Sequence, residues 1–176
     1  MIVVETPRLI LRRLTLDDAE FILRLLNEPS FLEFIGDKGV RTLDDARDYM
    51  LKGPIGSYET FGFGLYRVEL KEQQTLIGMC GLVKRETLPN VDVGFAFLPE
   101  FWSKGYAVES AAAVLEHART NLGLTRLVGI ARPDNHASIR VLEKLGMKFE
   151  QRIRVMPDGP EDVLLRDVPK RNLHVA

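Results

Sequence analysis

A strand pattern that runs directly into a helical pattern is the feature that most constrains the fold of this chain. Residues 91–98 have the apolar character of a strand, and the turn that follows contains Pro99 and Gly105. Apolar residues then recur at helical spacing from Ala107 to Leu122, which predicts the longest helix of the chain. A glycine-bearing turn therefore connects a strand to the start of a long helix.

The start of this helix is suited to a phosphate or pyrophosphate. Its first N–H groups have no partner within the helix, and the helix dipole adds partial positive charge there. Gly105 and Ala107 would let a ligand approach the backbone closely, but they would serve a tight turn and close packing equally well. The chain has neither a Gly-x-x-x-x-Gly-Lys-Ser/Thr run nor a Gly-x-Gly-x-x-Gly run, which disfavours the common nucleotide-binding motifs.

The bulk properties exclude several classes of protein. The length of 176 residues suits one domain with a continuous core. A net charge of −1 gives no basic footprint for nucleic acid, and no apolar run is long enough to cross a bilayer. No signal-peptide pattern is visible, and one cysteine, Cys80, allows no disulfide framework. We expect a single cytoplasmic domain over residues 1–176 with no metal site, no nucleic-acid partner and no membrane partner.

The order of strand and helix patterns predicts an α/β fold of the α+β type, with a mixed, mostly antiparallel sheet. About seven strands are predicted, at residues 8–14, 62–70, 75–83, 91–98, 125–131, 147–155 and 162–168. About four helices are predicted, at residues 15–26, 43–51, 107–122 and 135–146. The polar tail from Lys170 is predicted to be loose.

A second motif follows the strand predicted at residues 125–131. Asp134 or Asn135 would cap a short helix that Gly146 closes. Together with the first motif, this pattern resembles the GNAT superfamily of acetyl-CoA-dependent N-acetyltransferases, and within it the branch that contains RimJ and RimL, which acetylate the N-termini of ribosomal proteins. Four segments carry the resemblance: residues 5–19, 93–109, 135–140 and 142–146.

The resemblance implies a GNAT fold with acetyl-CoA as co-substrate. Relatives split the sheet after the strand that precedes the glycine turn, so free backbone groups near Phe97 and Leu98 would hold the pantetheine arm. The amides of residues 103–108 would wrap the pyrophosphate, and Asn135 would both cap its helix and contact the coenzyme. The implied coenzyme-binding residues are Phe97, Leu98, Ser103, Lys104, Gly105, Tyr106, Ala107, Val108 and Asn135.

Two residues are candidates for proton transfer. Leu142 stands where many relatives carry a tyrosine that protonates the leaving thiolate, and Ser138 lies one helical turn earlier on the same face. A serine here has the acid's role in the RimL-like branch, and a solvated or helix-bonded serine is the alternative. Asp92 would accept the amine's proton or attract a cationic substrate, or it is an exposed strand carboxylate. Glu33 and Glu86 are weaker candidates of the same kind.

The function that the resemblance implies is direct transfer of an acetyl group from acetyl-CoA to an amine, with a protein N-terminal amine as the first acceptor to consider. One alternative is a small-molecule amine, such as an antibiotic, an amino acid or a polyamine. Another is a coenzyme A-binding module without chemistry, which the missing tyrosine favours. Relatives in the RimL-like branch are often dimers, so a homodimer is a further expectation.

Overall fold

A single eight-stranded sheet forms the centre of the molecule, in a computed structural model that describes residues 1–168. The strands are β1 (Ile2–Glu5), β2 (Leu9–Arg13), β3 (Leu65–Leu70), β4 (Leu76–Val83), β5 (Val91–Phe97), β6 (Leu127–Ala131), β7 (Met147–Arg154) and β8 (Glu161–Asp167). Their order across the sheet is β1-β2-β3-β4-β5-β6-β8-β7. The predicted loose tail from Lys170 lies outside the described residues.

Neighbouring strands run antiparallel except β5 and β6, which are parallel. The predicted mixed, mostly antiparallel α/β fold is therefore confirmed, with eight strands in place of about seven. The α-helices are α1 (Ala19–Leu26), α2 (Pro29–Phe34), α3 (Leu43–Met50), α4 (Gly56–Phe61), α5 (Tyr106–Thr120) and α6 (His136–Lys144). Among residues 1–168, no helix combines the length and the apolar character that a membrane span requires.

Three short elements were not predicted from the sequence. Strand β1 has only four residues at the edge of the sheet, too few to show an alternating pattern. Helix α2 begins at Pro29, which also ends the preceding apolar stripe; proline is tolerated at the first helical position because its missing N–H has no helical partner there. Helix α4 follows Pro54, and a π-helical turn with a non-helical Gly53 connects it to α3.

The two faces of the sheet are covered by different helices. On one face, the small residues of α5, including Ala111, Val114 and Ala118, pack into a core with β4 and β5. On the other face, α1 and α3 contribute a second core that includes Ile22 and Met50. The strand pair β5 and β6 thus lies between two helical layers, with α5 starting just beyond the end of β5.

Candidate active site

The parallel strands β5 and β6 pair over only part of their length. Residues 91–92 pair with residues 127–128, whereas residues 93–97 continue to pair with β4 and residues 129–131 pair with β8. The sheet therefore opens between residues 93–97 and residues 129–131; we call this gap the β5–β6 opening. It faces the start of α5, and a crevice at the carboxyl ends of parallel strands is a common place for a ligand.

The backbone groups that face this opening follow from the register of β5. The Leu98 N–H donates to the Ile77 carbonyl at 2.9 Å, so even-numbered residues point their backbone groups at β4. Alternation then turns the backbone groups of Phe95 and Phe97 toward the opening. The Leu98 carbonyl accepts from the Phe101 N–H at 3.0 Å. The expectation of free backbone groups at Leu98 is therefore wrong, and Phe95 takes that place.

Trp102 covers the end of β5. Its indole Nε1 donates to the Phe97 carbonyl at 2.8 Å, which leaves the Phe97 N–H as the group directed at the opening. About half of the Trp102 side chain is exposed. One of the two backbone groups expected to be free at Phe97 thus has a side-chain partner that the sequence did not reveal.

An exposed loop, residues 102–105, leads into α5, and a 3₁₀ turn at Pro99–Phe101 separates this loop from the end of β5. Ser103 and Gly105 adopt positive φ angles of 61° and 82°, a conformation that glycine accepts readily and serine rarely. Gly105 is the N-cap of α5 and supplies no side-chain cap. No side chain therefore caps the first N–H groups of α5, those of Tyr106, Ala107 and Val108. Together with the helix dipole, these groups favour an anion.

Arg8 lies against the 102–105 loop, a contact between distant segments that the sequence does not predict. Its Nη1 donates to the Lys104 carbonyl at 2.9 Å, and its Nε donates to the Glu109 carboxylate at 2.6 Å. The guanidinium also stacks on the Tyr106 ring, 4.5 Å from the centroid. The Thr6 hydroxyl donates to the same carboxylate at 2.7 Å. The turn between β1 and β2 is therefore anchored to the first turn of α5.

Asp92 lies at the closed end of the opening and is only 3% exposed. Like Ala96, it lies on the sheet face that α1 and α3 cover. Arg85 Nε donates to its carboxylate at 2.6 Å. Burial raises the pKa of Asp92, while the charge and hydrogen bond of Arg85 oppose that rise. The alternative of an exposed strand carboxylate is therefore wrong, whereas the role of base stays a prediction.

Arg85 brings charged groups from several segments together on this side of the sheet. Desolvation and the nearby charge of Arg85 lower the pKa of Lys38. Burial raises the pKa of Asp162, while Arg132 and Arg85 oppose the rise. We call Lys38, Arg85, Asp92, Arg132 and Asp162 the Arg85 cluster. A cavity of about 430 Å³ lies beside Lys38, between the 38–40 segment and α3.

Helix α6 contains the second motif predicted from the sequence. Asn135 Oδ1 accepts from the Ser138 N–H at 3.2 Å, which confirms the predicted cap. Ser138 is half-buried, and its hydroxyl has no hydrogen-bond partner among residues 1–168, so it is not helix-bonded there. Leu142 is buried at 1% exposure and packs against Gly129 of β6, where a Cβ would lie 2.4 Å from a Leu142 methyl. A larger ring at position 142 would press on β6.

The remaining candidates lie apart from this geometry. Glu33 and Glu86 are exposed. Cys80 is fully buried in β4, and burial raises the pKa of its thiol to about 12, with a Ser110 hydrogen bond opposing the rise. A thiol of that kind stays neutral, in agreement with a core position. No group of three or more His, Cys, Asp or Glu side chains within residues 1–168 is placed to hold a metal ion.

Comparison with known proteins assigns a family to this arrangement. Residues 8–148 match the family model described as Acetyltransferase (GNAT) domain. An uncharacterized N-acetyltransferase, YnaD of Bacillus subtilis, is 29% identical over 147 residues, which cover 84% of this chain and 83% of YnaD.

Solved structures reproduce the whole fold. An acetyltransferase from Agrobacterium tumefaciens is 25% identical with a TM-score of 0.80, over 94% of each chain. RimL, described as a ribosomal L7/L12 α-N-protein acetyltransferase in complex with coenzyme A, is 18% identical with a TM-score of 0.81, over 96% of this chain and 98% of RimL.

Proposed function

Because the chain belongs to the GNAT family of acetyltransferases, which use acetyl-CoA, we propose that it transfers an acetyl group directly to an amine bound beside the β5–β6 opening. The observation that carries this proposal is the parting of β5 and β6 directly in front of the uncapped start of α5. In this proposal residues 1–176 act as one acetyltransferase domain. The amides of residues 103–108 bind the pyrophosphate, and the backbone of Phe95 and Phe97 binds the pantetheine arm.

The chain's main contribution to the reaction is to hold two reactants together. Positioning a donor and an acceptor on one surface supplies about 7–11 kcal/mol of a bimolecular barrier. The Phe97 N–H, directed at the opening, is the group we assign to the oxyanion that develops on the thioester carbonyl. Asp92 would take the proton of the amine, Ser138 would return a proton to the leaving thiolate, and Asn135 would contact the coenzyme from the start of α6.

The sequence segments that resemble RimJ and RimL favour a protein N-terminal amine over a polyamine as acceptor. The charges near Asp92 do not distinguish the two, because Asp45 and Asp48 line the cavity beside Lys38 together with Lys38 and Lys52. We propose a protein N-terminal amine as acceptor. The homodimer expected for that branch stays a prediction, which sedimentation velocity checks.

The proposal is tested by thiol release from acetyl-CoA with a panel of amines. We expect peptides with a free N-terminal amine to react faster than free amino acids, and spermidine to react slowest. Acetyl-CoA should raise the melting temperature with the logarithm of its concentration, and ATP and NAD should have much less effect. A melting shift without thiol release for any amine would indicate a binding module. The absence of both a melting shift and thiol release would overturn the proposal. Fastest turnover of spermidine would overturn the assigned acceptor.

Replacing Asp92 with asparagine is expected to lower the rate by up to about a hundredfold at neutral pH, because the amine must then lose its proton to water. The variant should regain rate as pH rises. Burial raises the pKa of Asp92 above its ordinary value of 3.8. As the pH is lowered, the parent's rate should therefore begin to fall at a higher pH than it would with an ordinary aspartate as base. Rate profiles against pH, recorded at saturating acetyl-CoA, measure both effects.

Asp167→Asn is the matched control for this variant. Asp167 is also a sheet carboxylate with a 4% exposed side chain, and it pairs with Arg119 as Asp92 pairs with Arg85. Both substitutions remove the charge of a buried carboxylate from a partly exposed ion pair, so both should lower stability. Only Asp92→Asn should change the pH profile, and an equal change in both profiles would refute the assignment of Asp92 as base.

A further inference from the structure

We infer that Arg8 is a positioning residue for coenzyme binding, which holds the peptide between Lys104 and Gly105 in the orientation that the pyrophosphate requires. This inference rests on the proposed function and extends it to a residue outside the β5–β6 opening. Arg8 lies just before β2, 96 positions from the loop residue whose carbonyl it binds.

Three independent contacts fix Arg8 at the junction of the 102–105 loop with α5. The Lys104 carbonyl accepts from Nη1 at 2.9 Å, and the Tyr106 ring lies under the guanidinium. Glu109 accepts from the side-chain Nε at 2.6 Å and from the backbone N–H of Arg8 at 3.1 Å. A planar guanidinium with several donors can satisfy these partners together, which the point charge of a lysine cannot do.

The hydrogen bond to Lys104 decides which way a peptide group faces. In a trans peptide the carbonyl and the following N–H point in opposite directions. Because the Lys104 carbonyl points at Arg8, the Gly105 N–H points away from it. Ser103 and Gly105, on either side of Lys104, both have positive φ angles, and glycine leaves rotation of this peptide sterically open. Without the anchor, a carbonyl oxygen could turn toward the anion that the loop amides bind.

The charge of Arg8 is compensated by its partner. Burial works to raise the pKa of Glu109, but hydrogen bonds from Thr6 and Arg8 outweigh it and hold that pKa below the ordinary value. Glu109 is therefore ionised at neutral pH, and the pair carries no net charge. Arg8 acts on the coenzyme through the orientation of the loop and not as a free positive charge beside it.

The test compares two donors, acetyl-CoA and S-acetylpantetheine, which lacks the pyrophosphate and the nucleotide. We expect Arg8→Gln to lower kcat/KM for acetyl-CoA about fivefold, the size of one net hydrogen bond, and to leave the value for S-acetylpantetheine within about twofold. Arg8→Lys should recover only part of the loss. An equal loss for both donors would reduce Arg8 to a structural residue and overturn the inference.

Two further variants complete the test. Arg12→Gln is the matched control, because Arg12 lies in β2 and its Nε donates to Glu69 at 2.9 Å instead of to the 102–105 loop. This variant should leave the donor preference unchanged. Glu109→Gln should also lower the preference for acetyl-CoA, since Arg8 loses its anchor. Tighter acetyl-CoA binding by Glu109→Gln would instead show that Arg8 acts by charge, against the inference. A parent without preference for acetyl-CoA would contradict the proposed coenzyme site itself.

Discussion

Replacing Gly105 with valine is expected to weaken acetyl-CoA binding at least about tenfold, or about 1.4 kcal/mol. Gly105 has a φ of 82°, and a Cβ there would lie 3.3 Å from Arg8 Nη2. A β-branched side chain in this conformation is strained and would also cover the backbone that the pyrophosphate approaches. Titration calorimetry with acetyl-CoA measures the affinity, and chemical denaturation measures the accompanying loss of stability.

Gly123→Val separates the two effects of this substitution. Gly123 lies just beyond the other end of α5 with a φ of 67°, and a Cβ there would meet no atom within 4 Å. Both variants should lose about 1–2 kcal/mol of stability, because both force a branched residue into the left-handed region. Only Gly105→Val should lose affinity. Unchanged affinity in Gly105→Val, or an equal loss of affinity in both variants, would contradict the assignment of the pyrophosphate to the start of α5.

The parts of the fold that could be predicted are those whose pattern is long. The helix predicted at residues 107–122 is present as α5 (Tyr106–Thr120), since four turns of apolar spacing leave little ambiguity. β1, α2 and α4 have four to six residues each, fewer than two helical turns or three alternations. Pro29 also has two meanings in a sequence, because a proline stops a helical pattern that precedes it and is also favoured at the first position of a new helix.

In the candidate active site, too, local features could be predicted from the sequence and contacts between distant segments could not. The cap of α6 spans three positions, so residue types alone narrowed it to Asp134 or Asn135, and the structure shows Asn135. Arg8 on Lys104, and Trp102 on the Phe97 carbonyl, depend on how distant segments meet. Which of Phe95 and Leu98 faces the opening depends on the register of β5 with β4. Alternation gives the two faces of a strand, but a single strand does not show which backbone groups its neighbour uses.

Removing the hydroxyl of Ser138 is expected to lower kcat by about a hundredfold, the lower end of what general acids contribute. The dissociation constant for acetyl-CoA should stay within about twofold, because the proton is needed only as charge develops on the sulfur. The lower end is expected because a thiolate leaves easily, with a thiol pKa of about 8.5 in the comparable cysteine. Single-turnover kinetics of Ser138→Ala, with chemistry rate-limiting, measure the effect.

The packing of Leu142 explains why the proton donor would lie one turn earlier than in relatives with a tyrosine. Leu142 fills the space over Gly129, so its position belongs to the core and cannot carry a phenol without moving β6. Ser138, on the same face of α6, is half-buried with a hydroxyl that no residue in the described 1–168 range engages. Ser138→Thr keeps that hydroxyl and should retain most of the rate. A Ser138→Ala variant within about twofold of the parent would assign proton delivery to water and leave Ser138 as a residue of the helix.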